Sequence, residues 1–274
     1  MREPVEKYAL QIVNLPMSFY TTVARYYDAE NADKTDDIAF YRELAEEYDG
    51  PILDIGCGSG RVVLPLARDG RTVHGIDNNA PMLERAHKRV AMQPDHYMTL
   101  TLQEGDVLTD DLPDEKYSMI LLSYNMLMHF HEQTTQITLL ERMRYHIADD
   151  GVLVIDLPNA GEMFATPDSD AVTLERTFVE PETGHMVMQQ AVSTLDRATQ
   201  FMRVQWIYDE ITDDGTLRRT VAPTVFRYFF PYEVQLLLRL TGFTVEQMFG
   251  DTDGSPFEDG SPRMIVIAIP TPDA

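Results

Sequence analysis

The chain has 274 residues, 44% of them hydrophobic, a formal net charge of −23 and a single cysteine, Cys57. That length suits one core domain with an insertion; the negative charge disfavours nucleic acid and anionic lipid as partners, and a lone cysteine excludes an intramolecular disulfide. The N-terminal region carries Glu3 and Glu6 in place of a continuous apolar stretch, and no run of about 18 apolar residues occurs, so the expectation is a cytoplasmic protein with neither secretory signal nor membrane span.

Residues 1–35 are mixed in character and rich in tyrosine: Tyr8, Tyr20, Tyr26 and Tyr27. Residues 38–48 read as a helix, with Ile38, Tyr41, Leu44, Ala45 and Tyr48 on one face, ended by Gly50 and Pro51. A short buried strand is expected over 51–55 and further strands over 72–76, 97–103, 117–123 and 152–157, with helices over 61–68, 81–90 and 132–147 between them. Pro81 suits the first position of its helix, and Asp149-Asp150-Gly151 reads as a turn. Strands alternating with helices predict an α/β class, with a mostly parallel sheet covered on both faces.

After Leu157 the pattern changes. Residues 172–180, 185–195, 200–211 and 217–229 read as strands joined by turn-formers such as Glu182-Thr183-Gly184 and Asp213-Asp214-Gly215. Met202, Val204, Trp206 and Tyr208 share one face, and Arg203, Gln205 and Asp209 the other, which is the pattern of a half-buried antiparallel sheet. A helix is expected over 231–240, closed by Gly242, and strands over 244–249 and 263–270 are again of the buried kind. The expected plan is an N-terminal cover over 1–35, a core of 36–160 and 232–274, and a small antiparallel insert over 161–231.

The chemistry concentrates in "ILDIGCGSGR", residues 52–61. A strand, a bare loop and a helix offer a ligand free N–H groups and a positive helix end. The dinucleotide pattern G-x-G-x-x-G fits at Gly56 and Gly58 but meets Arg61 where the last small residue belongs, and Asp54 would crowd a pyrophosphate with negative charge. The pattern as it stands is D-x-G-x-G-x-G: Asp54, Gly56, Gly58, Gly60.

At these residues the chain resembles the class I S-adenosylmethionine-dependent methyltransferases, and its insert resembles that of small-molecule members such as glycine and sugar-amine N-methyltransferases, which implies that residues 161–231 are a substrate lid. The resemblance implies a Rossmann-like core and S-adenosylmethionine as cofactor, leaving S-adenosylhomocysteine as product. It implies that Asp54 holds the amino-acid end, that Gly56, Gly58 and Gly60 pack against the ligand, and that Asp77, with Asn78 beside it, takes the ribose hydroxyls. Asp106 would accept the adenine amino group with Val107 along the ring, and Met82 would pack nearby. Ser123, Tyr124 and Asn125, at the end of the fourth strand, would face cofactor or substrate. Tyr27, with Tyr26 and Asp28, would cover the donor, Tyr20 being a lesser candidate. His129 is the candidate base, its ordinary pKa suiting proton transfer near neutrality; His131 is expected to point elsewhere. Cys57 lies in the loop as a small filler. Trp206, Tyr208, Arg227 and Tyr228 are provisional pocket residues. The acidic 250–263 loop misses the EF-hand spacing, so no metal is assigned.

The implied reaction is methyl transfer to a nitrogen or oxygen of a small molecule, by a monomer or homodimer. Two other readings stay open: a catalytically silent module that binds the same donor, and a nicotinamide-dependent oxidoreductase.

Overall fold

The computed structural model describes residues 18–96, 99–165 and 171–272; Tyr8 and the first residues of the strand expected from 97 lie outside them. The elements run α1 (Ser18–Glu30), α2 (Asp36–Glu47), β1 (Ile52–Ile55), α3 (Val63–Arg68), β2 (Val73–Asp77), α4 (Ala80–Met92), β3 (Leu100–Glu104), β4 (Tyr117–Leu122), α5 (Gln133–His146) and β5 (Ile147–Pro158). Then come α6 (Ala160–Ala165), β6 (Thr173–Val179), β7 (Met186–Asp196), β8 (Phe201–Ile211), β9 (Leu217–Arg227), α7 (Pro231–Leu240), β10 (Phe243–Phe249) and β11 (Arg263–Pro270).

Seven strands form one sheet in the order β10-β11-β5-β4-β1-β2-β3. β1 to β5 are mutually parallel, and β11 and β10 close the edge with antiparallel pairings. The strands read as continuous apolar runs because both faces are covered. Leu53, Ile55, Ile120 and Leu122 point into a cluster with Leu139 and Met143 of α5 and Val234 and Leu238 of α7. Their neighbours Ile52, Met119 and Leu121 point the other way, onto Tyr41 and Leu44 of α2, Leu64 of α3 and Leu83 of α4. Successive side chains leaving opposite faces thus build two cores from one sheet. The architecture is the expected α/β, Rossmann-like one, with a separate four-stranded antiparallel sheet in the order β6-β7-β8-β9.

That second sheet turns Val187, Tyr208 and Ala222 toward Val23 and Tyr26 of α1. The expected alternation along β8 holds: Val204 and Tyr208 are buried, and Gln205 is exposed. Asp209, on the opposite face, is also buried, because Arg219 Nε and Nη2 each donate to its carboxylate at 2.7 Å.

Two local features depart from expectation. Residues 18–30, expected only as part of a mixed, tyrosine-rich cover, are a helix. Residues 149–151 are not a free turn: they lie inside β5, where the β4–β5 register jumps from Tyr117↔Ile147 to Met119↔Val152. Asp149 and Asp150 are carried outward as an exposed bulge. A Cβ on Gly151 would lie 2.9 Å from the Tyr117 carbonyl oxygen and 3.0 Å from that of Ser118. Gly151→Ala is therefore expected to destabilise the fold by about 1–3 kcal/mol, read as a lower denaturant midpoint, since backbone cannot step aside as a side chain can. An unchanged midpoint would show that the bulge relaxes freely.

Candidate donor and acceptor site

In an open parallel sheet, ligands gather beyond the carboxyl ends of the strands where the order reverses, which here is between β1 and β4. The loop after β1 lies at that point. Gly56, Gly58 and Gly60 have φ of +73°, +55° and +84°, in the left-handed region that side chains disfavour. A Cβ on Gly56 would fall 2.2 Å from Met126 Sδ, so the loop floor is also tightly approached. Gly60 differs in use: its missing Cβ lets Leu64 and Ala86 pack closely. Cys57 is buried with its sulfur turned against Gly75, leaving its backbone toward the loop.

Asp54 ends up 1% exposed. Ser123 Oγ donates to its Oδ1 at 2.9 Å, while Oδ2 has no hydrogen-bond partner. Burial raises its pKa to about 7, against the opposing pull of the Ser123 hydrogen bond and Arg61. An unsatisfied buried carboxylate oxygen is costly, and a cationic donor group is what it lacks.

Asp77 closes β2. Its Oδ2 accepts from Gly58 N at 2.8 Å and its Oδ1 from Asn79 N at 2.7 Å. One bond per oxygen fixes the carboxylate and leaves lone pairs for two hydroxyls. Asn79 caps α4 by accepting from Met82 N at 3.2 Å, while Asn78 is exposed beside it. Met82 is buried, and its Cε lies 3.2 Å from where a Gly58 Cβ would stand. Asp106 is exposed and closes a turn by accepting from Leu108 N at 2.9 Å; Val107 behind it is buried.

At the end of β4, Tyr124 and Asn125 both have positive φ, +41° and +70°. Two consecutive non-glycine residues in that region are strained, a feature concentrated at functional sites. The surroundings hold them there. Asn125 N donates to the Asp156 carbonyl at 2.9 Å, and Asn125 Oδ1 accepts from Arg263 Nη2 at 3.0 Å. Three cations surround the Tyr124 ring: Lys34 Nζ at 4.5 Å, Arg61 Cζ at 4.8 Å and Arg263 Cζ at 5.7 Å from its centroid.

α1 is laid over this end of the sheet by polar ties. Asp28 accepts from Ser59 Oγ at 2.6 Å and Arg85 Nε at 2.8 Å, and Asn79 Nδ2 donates to Thr21 Oγ1 at 3.0 Å. Tyr27 lies edge-on to Tyr20 at 6.2 Å. Tyr26 faces away, stacked on Tyr208 at 4.8 Å, so it joins helix to insert. Tyr20 OH and His129 Nε2 share a 2.9 Å hydrogen bond, and Phe226 of the insert meets the imidazole edge at 5.3 Å. This enclosure lowers the His129 pKa to about 4, with His131 a lesser cause. His129 is thus neutral near pH 7 but holds a proton less well than an ordinary histidine. His131 does point elsewhere, onto the Val225 carbonyl at 3.0 Å.

Of the provisional insert residues, Arg227 pairs with Glu233 at 2.6 Å and Tyr228 is buried in the core, both structural positions. Trp206 presents a buried indole N–H with no hydrogen-bond partner. The open surface hollows, between residues 49–51 and 69–72 and between residues 111–114 and α5, lie at the amino ends of the strands, away from the glycine loop. No sequence motif gives Lys34, Arg61 or Arg263 a site role, and the sequence ranks Tyr20 below Tyr27. Nothing local marks these residues, because their partners are distant along the chain. Among the described residues no cluster of metal-ligating side chains occurs, and no helix is long and apolar enough to cross a membrane.

Comparison with known proteins agrees with this geometry. Residues 52–151 match the family model described as a methyltransferase domain. The chain is 26% identical over 216 residues to a cypemycin N-terminal methyltransferase from a Streptomyces species, covering 79% of this chain and 81% of that one. For other relatives the matched share of their length is about half or less. Among solved structures, the CcbJ methyltransferase of Streptomyces caelestis superposes with a TM-score of 0.75 at 22% identity, over 89% of this chain and 96% of that one. CalS10 of Micromonospora echinaspora, an amino pentose methyltransferase solved with S-adenosylmethionine bound, gives 0.68 at 19% identity, over 99% and 100%. The sheet order, the loop at its switch point and the match agree: residues 52–151 are similar to a methyltransferase domain, and the fold is the one seen in these solved methyltransferases.

Proposed function

We propose that this protein transfers the methyl group of S-adenosylmethionine to a nitrogen or oxygen of a small molecule, releasing S-adenosylhomocysteine. The observation that carries the proposal is the unpartnered, buried Oδ2 of Asp54 beside a loop of positive-φ glycines, with Asp77 held ready for two hydroxyls. A phosphate-free nucleoside with an ammonium fits that set; a pyrophosphate would meet two carboxylates there.

Asp54 would take the donor ammonium, Asp77 the ribose, and Asp106 with Val107 and Met82 the adenine. Ser123, Tyr124 and Asn125 border the reacting end, and Tyr27 covers it. The donor supplies an electrophilic methyl on a good leaving group. The protein's own work is to hold the acceptor in line and keep water out, which is where most of the rate enhancement of such a displacement comes from.

His129 and Tyr20 are the polar groups we assign to the acceptor, between α1 and the inner face of residues 161–231, which serve as the substrate lid. A neutral imidazole accepts a hydrogen bond from an N–H or O–H and aims the lone pair behind it. Nitrogen is the favoured acceptor, because the cypemycin relative acts on an N-terminus and the CalS10 neighbour on an amino sugar.

Calorimetric titration with S-adenosylhomocysteine and NAD tests the donor assignment: the first should bind and the second should not. Asp77→Ala should weaken the nucleoside by about 1–3 kcal/mol, the scale of hydroxyls left unmatched. Equal affinity in wild type and variant would remove the ribose role. Turnover of the donor with a pool of small amines tests the reaction itself.

A further inference from the structure

Glu30 ends α1, one turn beyond Tyr26 and Tyr27. It therefore stands between the tyrosine that meets the insert and the one that meets Tyr20. Its Oε2 accepts from the Tyr208 hydroxyl at 2.9 Å and from Gln189 Nε2 at 3.0 Å. Gln189 Nε2 also reaches the Tyr208 hydroxyl at 3.1 Å, and Tyr26 stacks on the Tyr208 ring, so this oxygen is fixed by two insert strands and by its own helix. Oε1 has only a long bond from Asn31 Nδ2, at 3.4 Å. Among the described residues no cation lies within ion-pair distance of the carboxylate. Lys34 and Arg176, whose charges reach it, are bonded elsewhere: Lys34 to Tyr124, and Arg176 to Asp33 and the Glu30 carbonyl. The buried acids of the insert are already matched, Glu180 and Glu210 by Arg25 and Asp209 by Arg219. Trp206, two residues before Tyr208 on the same face of β8, adds a buried indole N–H without a partner. Such groups are rare in a closed core.

From this juxtaposition we infer that Glu30 determines acceptor specificity: it binds a positively charged group of the small molecule, separate from the nitrogen that is methylated. The inference rests on the methyl-transfer reading above and deepens it, because it makes the acceptor a compound with two basic groups. The His129–Tyr20 pair marks one end of the space between α1 and the insert, and Glu30, about three helical turns from Tyr20, marks the other. His129 is suited to a nitrogen that arrives neutral, so the charge that draws the acceptor in has to sit elsewhere on the molecule. A chain of net charge −23 attracts such a cation from a distance, and Glu30 gives it a fixed partner at the end of its path. Burial raises the Glu30 pKa, with the Tyr208 hydrogen bond, Lys34, Arg176 and Asn31 opposing. An ammonium at Oε1 would offset that desolvation with a charge-assisted hydrogen bond. The rings of Tyr20, Tyr27 and Trp206 offer faces that suit a cation or its alkyl stem.

The test is a competition between two amines. Wild type receives S-adenosylmethionine with equal amounts of an α,ω-diaminoalkane and the alkylamine of the same chain length, over a series of lengths, and the methylated products are compared by mass. At the best length the diamine should be preferred by about tenfold or more in kcat/KM, corrected for its two equivalent nitrogens, which is the scale of a charge-assisted hydrogen bond. Glu30→Gln should bring that ratio close to one by lowering use of the diamine. Its affinity for S-adenosylhomocysteine should match wild type, which shows that the variant is folded. Glu30→Asp keeps the charge and should keep a preference for the diamine. Equal use of the two amines by wild type, an unchanged ratio in Glu30→Gln, or loss of the preference in Glu30→Asp as well would overturn the assignment. So would a wild type that binds S-adenosylhomocysteine but methylates neither amine. Failure of wild type to bind S-adenosylhomocysteine would instead bring down the donor reading on which the inference rests.

Discussion

Asp54→Asn is expected to weaken S-adenosylhomocysteine binding by about tenfold to a hundredfold, while raising the thermal stability of the empty protein above pH 7. The two effects have one cause. Oδ2 of Asp54 is buried without a partner, and burial lifts the carboxyl pKa to about 7. A group whose proton affinity is raised by folding stabilises the native state while it keeps its proton. That contribution is complete below the unfolded pKa, near 4, and is gone once pH passes about 7. Three units correspond to roughly 4 kcal/mol at most. Asparagine keeps the Ser123 hydrogen bond through its carbonyl oxygen and carries no charge, so its melting temperature should exceed that of wild type at pH 8 and converge with it near pH 5. Donor affinity should fall because a charge-assisted bond to the ammonium becomes a neutral one. Coincident melting curves at pH 8 would mean that the carboxylate is satisfied in the free protein, and the ammonium site would have to be sought elsewhere.

His129→Ala should lower kcat by about a hundredfold with little change in donor affinity. General acid–base and positioning contributions from a single side chain are typically of that order, and the Tyr20–His129 pair sits on the insert side of the donor loop. The pH dependence separates the two roles. With the imidazole pKa lowered to about 4, His129 is already neutral above about pH 5 and should impose no inflection near 6.5. Any rise in rate at higher pH then belongs to the acceptor losing its own proton, and its midpoint should shift when acceptors of different basicity are compared. The same depressed pKa makes His129 a poor sink for a proton from an ammonium, so the role proposed for it is toward an acceptor that reaches the site neutral. A His129→Ala variant with unaltered turnover from pH 6 to 9 would remove it from the mechanism and leave the fold assignment standing.

The core strands and most helices were legible because each rests on short-range information. A buried strand such as β4 is a run of apolar residues, and α4 carries its N-cap Asn79 and first-turn Pro81 in sequence. The bulge at 149–151 misled because Asp-Asp-Gly is turn chemistry by composition. Only pairing with β4 shows that the chain continues as strand, with Gly151 pressed on the β4 backbone. What α1 packs on was not legible, because its apolar side is completed by another element: Val23 and Tyr26 form a core with Tyr208 and Ala222 of the insert.

The amino-acid order by itself determined the glycine loop, the two carboxylates beside it and the alternating α/β plan. Backbone conformation and periodicity are properties of neighbours, so glycines at alternate positions and apolar runs declare themselves locally. What the tertiary structure alone decided is the state of the groups in that frame. It showed which Asp54 oxygen lacks a partner, that Tyr20 rather than Tyr27 meets His129 across 109 positions, and that Lys34 reaches Tyr124 across 90. It also decided how far burial shifts each proton affinity. Those properties depend on desolvation and on partners brought from distant segments, and both come into being only when the chain closes on itself.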